Sequence, residues 1–112
     1  VFNWKLNMSQ TAPKPAPSLA TLRARREDIL ALAARYHARN VRVFGSVARG
    51  EATPDSDIDL LVEFGEKASL FDLSGLWLDL EALLDHKVDV ISDHAGMRPR
   101  FRQRVMRDVV PL

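Results

Sequence analysis

The stretch from Val41 to Val62 limits what this chain can fold into more than any other. It reads Val41-Arg42-Val43-Phe44, then Gly45-Ser46-Val47-Ala48-Arg49-Gly50, a polar loop, and Ser56-Asp57-Ile58-Asp59-Leu60-Leu61-Val62. The β-branched residues predict a strand over 41–44 that Gly45-Ser46 ends. Val47 to Gly50 predicts a single helical turn, and Thr53-Pro54-Asp55-Ser56 is turn chemistry. A second strand over 58–63 puts Ile58, Leu60 and Val62 on one face. Alternation then sends Asp57 and Asp59 together to the other face, about 7 Å apart along the strand.

Two carboxylates so placed repel each other unless a cation lies near both. Mg2+ suits them, because it takes hard oxygen ligands and keeps substrate phosphates in its shell. The Gly-Ser turn offers the complementary half. Gly45 lets the backbone approach a phosphate closely. Ser46 adds a hydroxyl, and successive amides at a helix start cradle an anion. Arg49 adds a cation, or else forms a salt bridge to Glu51 or Asp55. A third strand, Val88-Asp89-Val90-Ile91, sets Asp89 on the face opposite Val88 and Val90. If that strand neighbours the Asp57 strand, three carboxylates converge on one point. Such a set can hold two metal ions, one at the attacking oxygen and one at the departing pyrophosphate. The expected site therefore takes a metal-bound nucleoside triphosphate.

Taken singly, each feature is commonplace: an Asp-x-Asp is usually a solvated pair, and a Gly-Ser is usually a plain turn. Their conjunction at the right element boundaries is what points to a site. Two rival motifs fail. Gly45 and Gly50 have the glycine spacing of a P-loop, but Glu51-Ala52 stands where that loop needs Lys and Ser/Thr. His37, His86 and His94 form no zinc-ligand pair at helical spacing.

With 112 residues the chain is sized for one small core. Residues 1–17 are expected to be a disordered N-terminal extension. Val1–Asn7 looks extraneous, an upstream or expression remnant ahead of Met8-Ser9, and Pro13, Pro15 and Pro17 favour extended backbone. Residues 18–112 are the expected domain. Ser18 caps a helix running to about Arg39, with Asn40 as its stop. Ser69 and Asp72 form a capping box for a second helix, whose Leu70, Leu73, Leu76, Trp77, Leu80, Leu83 and Leu84 make an apolar stripe. Pro99 opens a last helix over about 98–107, and 109–112 can add an edge strand. The order predicts an α+β fold: a small mixed β-sheet with helices packed on one face and the site on the open face.

There is no cysteine, which excludes a disulfide scaffold and a thiolate metal site. No apolar run approaches the roughly 20 residues of a membrane span, and no signal-peptide pattern opens the chain; a cytoplasmic location is expected. Between Asp55 and Asp93 eleven acidic residues face only Lys67 and Lys87, a poor surface for stable nucleic-acid binding.

The residues Gly45-Ser46-x-Ala48-Arg49-Gly50, Ser56-Asp57-x-Asp59-Leu60-Leu61-Val62 and Lys87-Val88-Asp89-Val90 resemble the minimal nucleotidyltransferase (MNT) family of the polymerase-beta-like superfamily. The likeness runs from about Ser18 to Leu112. It implies Asp57, Asp59 and Asp89 as a catalytic metal triad for Mg2+. It implies Gly45 and Ser46 as triphosphate binders, with Arg49 and Ser56 completing the nucleotide-binding set. The implied reaction moves AMP from ATP to an acceptor hydroxyl and releases pyrophosphate. Larger relatives carry an acceptor-holding domain; here the acceptor is expected in trans. Stand-alone MNT proteins typically pair with a helical HEPN protein in a hetero-oligomer, as antitoxins resembling protein adenylyltransferases that modify a tyrosine of the HEPN ribonuclease toxin. No arginine stands five to seven residues before any histidine, so the HEPN toxin's own motif is missing and the antitoxin side is implied. The alternatives are transfer to a small molecule or an RNA end, and an antitoxin that neutralises by binding alone.

Overall fold

The computed structural model describes residues 14–112. In chain order the elements are α1 (Leu19–Ala24), α2 (Arg26–Arg35), β1 (Ala38–Phe44), α3 (Gly45–Arg49), β2 (Ile58–Phe64), α4 (Leu70–Leu84), β3 (Val88–Ser92), α5 (Pro99–Met106) and β4 (Val110–Pro111). The expectation for residues 1–17 falls largely outside the described residues. Of its last four, Pro17 is buried, and Lys14 donates from Nζ to the Asp85 carbonyl at 2.7 Å and carboxylate at 3.0 Å.

Ser18 caps α1 as expected, its hydroxyl accepting the Thr21 N–H at 3.1 Å. The single helix expected to Arg39 is instead two helices that end earlier. Arg25 leaves helical geometry at φ −107°, ψ 18°, and α2 stops at Arg35. Arginine is a good helix former, so nothing local marks that break. The residue that turns the chain after α2 is His37, at φ 60°, whose carbonyl accepts the Gly65 N–H at 2.8 Å. Asn40 does adopt the left-handed conformation (φ 51°), but inside β1, where the register with β2 slips between Arg39 and Arg42. The preference read as a helix stop serves a β-bulge instead. β1 thus starts three residues before Val41. Tyr36 closes α2 against α4, its hydroxyl donating to Asp79 and its ring lying over Gly75.

The four strands form one mixed sheet in the order β3-β2-β1-β4. β1 is antiparallel to β2 and to β4, while β2 and β3 are parallel and joined through α4. A parallel pair needs such a crossover, and α4 supplies it with its apolar side on the sheet. Val41 and Val43, Ile58, Leu60 and Val62, and Val88 and Val90 meet Leu22, Ile29, Ala33, Leu76 and Leu80 in one core. Asp72 accepts the Ser69 N–H at 2.8 Å, as the capping-box reading requires. The stripe on α4 holds except at its first member: Leu70 is 75 % exposed, one turn ahead of Leu73, the first stripe residue packed on the core.

Leu61 projects to the face opposite Leu60; it and Val105 of α5 are buried outside that core. Arg42 and Asp93 are paired nearby at 3.0 Å, and Arg102 of α5 also bonds Asp93. Burial pushes the Asp93 carboxyl up, but the hydrogen bonds from Arg102 and Arg42 outweigh it and hold the group below the usual carboxylate range. Asp93 and Arg42 side chains are only 10 % and 14 % exposed. Asp93→Ala strands the Arg42 guanidinium with the more distant Glu63, at 3.8 Å, and is expected to lower stability by about 2 kcal/mol. Asp85→Ala, at the exposed Lys14 pair, is expected to cost under about 0.5 kcal/mol. Urea unfolding of both variants measures the contrast.

Candidate active site

β1 delivers the chain to Gly45 through Phe44, which is extended (φ −135°). Gly45 then turns left-handed at φ 72° and starts α3. A Cβ there would overlap Asp59 Oδ2 and lie 3.1 Å from Asp59 Cγ. The missing side chain is therefore the space in which the Asp59 carboxylate sits. α3 ends at Gly50, left-handed at φ 73°, and the Glu51 N–H returns to the Ser46 carbonyl at 2.9 Å. Ser46 lies in the first turn of this short helix, partly buried.

The loop back to the sheet is fastened by its own hydroxyl. Ser56 Oγ accepts the Thr53 N–H at 2.8 Å, and the Ser56 N–H donates to the Thr53 carbonyl at 3.0 Å. Ser56, expected among the nucleotide-binding residues, is thus engaged in closing the turn that leads to Asp57. Asp57 stands exposed just ahead of β2, and Asp59 is the second residue of that strand.

The third aspartate arrives by strand pairing. β3 does neighbour β2, and the register sets Asp59 directly across from Asp89, with Phe44 across from Asp59 on the other side. Residues directly opposite share a face, so the row Phe44, Asp59, Asp89 crosses three strands on the face away from the core. Both aspartates are half-buried. Burial, and then the charges of Asp89 and Asp57, push the Asp59 carboxyl up to about 6, with Arg49 pulling the other way. Burial and the Asp57 charge also raise Asp89. The three carboxylates share one field. Among the described residues, however, no three His, Asp or Glu side chains are gathered tightly enough to hold a metal ion as they stand. The donor set is all oxygen and mutually repelling. That chemistry fits a hard divalent cation, whose charge would remove the repulsion.

Arg49 is already partnered. Its Nε donates to Glu51 Oε2 at 3.0 Å and its NH1 to Asp108 Oδ2 at 3.1 Å, while Asp55, the other partner considered from sequence, plays no part in these bonds. Asp108 is the residue that sequence reasoning missed. It lies 59 positions from Arg49, and no local spacing rule links the two.

Residues 27–110 match the model of the nucleotidyltransferase domain family. Protein adenylyltransferase MntA of Thermococcus cleftensis is 42 % identical over 76 residues, covering 68 % of this chain and 76 % of that protein. A solved structure assigned as a minimal nucleotidyltransferase superposes with a TM-score of 0.74 at 55 % identity, covering 86 % of this chain and 97 % of that one. The fold also matches a chain in the complex of tri-AMPylated Shewanella oneidensis HEPN toxin with MNT antitoxin, at TM-score 0.59 and 19 % identity, covering 80 % of this chain and 69 % of that one. A strand–glycine turn–aspartate frame with this match across most of its length places the chain in the nucleotidyltransferase domain family.

Proposed function

We propose that this protein is an Mg2+-dependent adenylyltransferase that moves AMP from ATP to a tyrosine of a HEPN-family toxin, and so acts as the antitoxin of that partner. The observation that carries the reading is the register of β2 and β3, which sets Asp59 against Asp89 beside the Gly45 turn. The names of the relatives supply the acceptor class: one is a protein adenylyltransferase, and another structure holds an AMPylated HEPN toxin with its MNT antitoxin.

In this reading Gly45 and Ser46 receive the triphosphate through the amides of α3 and the serine hydroxyl. Arg49 faces its negative charge, and Ser56 holds the loop that presents Asp57. Asp57, Asp59 and Asp89 would hold Mg2+, with two ions as the expected complement; when bound, it supplies positive charge to the triphosphate and to the forming and breaking P–O bonds. The acceptor tyrosine oxygen attacks the α-phosphorus. Its proton passes to a carboxylate oxygen of Asp89. The bond from the α-phosphorus to the bridging oxygen breaks, and pyrophosphate leaves. The acceptor comes from the HEPN partner in a hetero-oligomer, and the compartment is the cytoplasm. None of the helices in the described residues is long and apolar enough to cross a membrane.

The test combines the protein, ATP, Mg2+ and a HEPN protein encoded beside it. Intact mass should show whole AMP increments on the HEPN protein, mapped to tyrosine, and its ribonuclease activity should fall in step. Chelation of Mg2+ should stop both. Neutralisation that persists without AMP transfer in an Asp57→Ala/Asp59→Ala variant would mean that the antitoxin works by binding alone. AMP recovered on RNA ends would make RNA the acceptor.

A further inference from the structure

We infer that Asp108 is a positioning residue: it aims the Arg49 guanidinium at the triphosphate. The inference rests on the nucleotidyl-transfer reading above. Its basis is how the C-terminal strand meets the glycine turn. β4 pairs antiparallel with β1, with Val110 across from Val43. Counting on along that register brings Asp108 level with Gly45, at the point where β1 becomes α3. The segment after α5 thus delivers one carboxylate to the side of the turn that α3 ends on.

Asp108 takes NH1 of Arg49, and Glu51 takes Nε. Acceptors at two different positions of a planar fork fix both its direction and its plane. A guanidinium carries five N–H donors, so these two bonds leave NH2 and one hydrogen of NH1 available to an anion. Arg49 stands one helical turn after Gly45, at i+4, and the side of Gly45 that carries no Cβ is where the Asp59 carboxylate sits. The guanidinium is therefore tethered to the same turn that Asp59 packs against. Glu51 is a poor anchor by itself, 66 % exposed and only two residues along the same loop; the Asp108 side chain is 25 % exposed. An arginine that is ordered before binding loses less freedom on binding, an effect that corresponds to about threefold to tenfold in affinity. Asp108 and Glu51 also offset part of the arginine charge. That opposing effect acts at longer range through solvent and is screened, whereas the free N–H donors make direct contact.

The inference is tested by titration calorimetry with magnesium-ATP on the whole chain, in the absence of acceptor. Asp108→Ala is expected to raise Kd about threefold to tenfold, and Asp108→Asn to fall between Asp108→Ala and wild type. In an Arg49→Gln background, Asp108→Ala is expected to change Kd less than about twofold, because its effect runs through the arginine. Thermal melts show that each variant remains folded; the Asn variant keeps the test open if Ala does not. Equal loss in both backgrounds would mean a general structural role and overturns the inference. So would tighter binding in Asp108→Ala, which would make Asp108 a competitor for the guanidinium. A wild-type protein that binds no magnesium-ATP overturns the nucleotide reading itself, and this inference with it.

Discussion

Asp59→Asn is expected to make the metal-free protein more stable at neutral pH while lowering AMP transfer about 10²–10³-fold. The two effects have one cause. In the folded protein the Asp59 carboxyl is pushed up to about 6, first by burial and then by Asp89 and Asp57; in the unfolded chain it returns to about 3.9. The folded state therefore holds a proton that the unfolded state has released between those two values. The stability this proton contributes is fully present below about pH 3.9 and is lost as pH rises through about 6. Above that, the folded protein carries the full repulsion of the carboxylate row. Two units correspond to roughly 3 kcal/mol, but a half-exposed carboxylate is screened by water, so about 1 kcal/mol is a realistic remainder. For a domain of this size that is a rise in Tm of about 4 °C or more.

Thermal melts in chelator at neutral pH and near pH 4 read this directly. Asn should be the more stable at neutral pH, and the gap should close near pH 4. Equal melting at both values would mean that Asp59 carries no such strain. The loss of transfer follows because Asn removes one anionic oxygen ligand from the proposed Mg2+ site. A protein that gains stability when its central carboxylate is neutralised is one that keeps repulsion for a function.

Gly45→Ala is expected to cost both stability and activity, and Gly50→Ala only stability. Both glycines are left-handed, at φ 72° and 73°. An alanine in either place costs about 1–2 kcal/mol of backbone strain. They differ in what the new Cβ meets. At Gly50 nothing lies within 4 Å; at Gly45 the methyl overlaps the Asp59 carboxylate. Asp59 must then swing away from its position across from Asp89. A displacement of that kind can lower a rate about 10²-fold. The comparison separates backbone from contact: similar melting with a wide gap in AMP transfer supports the geometry, whereas equal transfer would show that Asp59 tolerates displacement.

Much of this fold was legible from local pattern. The strands around Val43, Leu60 and Val90, the cap at Ser18, the capping box at Ser69 and Asp72, and the turn at Thr53–Ser56 all obey rules that act over a few residues. The misreadings share a reason too. Asn40 favours a left-handed backbone wherever it stands, so its sequence signal could not distinguish a helix stop from a bulge. Arg25 interrupts a helix that its own propensity would continue, and Leu70 matches the stripe's period while standing ahead of the packed part of α4. The Asn40 preference is met, but in a strand bulge, while the break at Arg25 and the exposure of Leu70 carry no marker in local preferences worth under about 1 kcal/mol.

The site divides along the same line. The sequence by itself determined that Asp59 and Asp89 each point away from the apolar residues of their own strand, and that a glycine turn precedes the Asp57–Asp59 pair. Alternation follows from the extended backbone of any strand, so these needed no knowledge of which strands pair. Only the tertiary structure decided that Asp59 faces Asp89 directly, that the glycine's vacant side is filled by the Asp59 carboxylate, and that Arg49 answers to Asp108. Those depend on which strands pair and in what register. Register is fixed by the α4 crossover, the bulge at Asn40 and the seating of β4 on β1, through contacts between residues far apart in the chain.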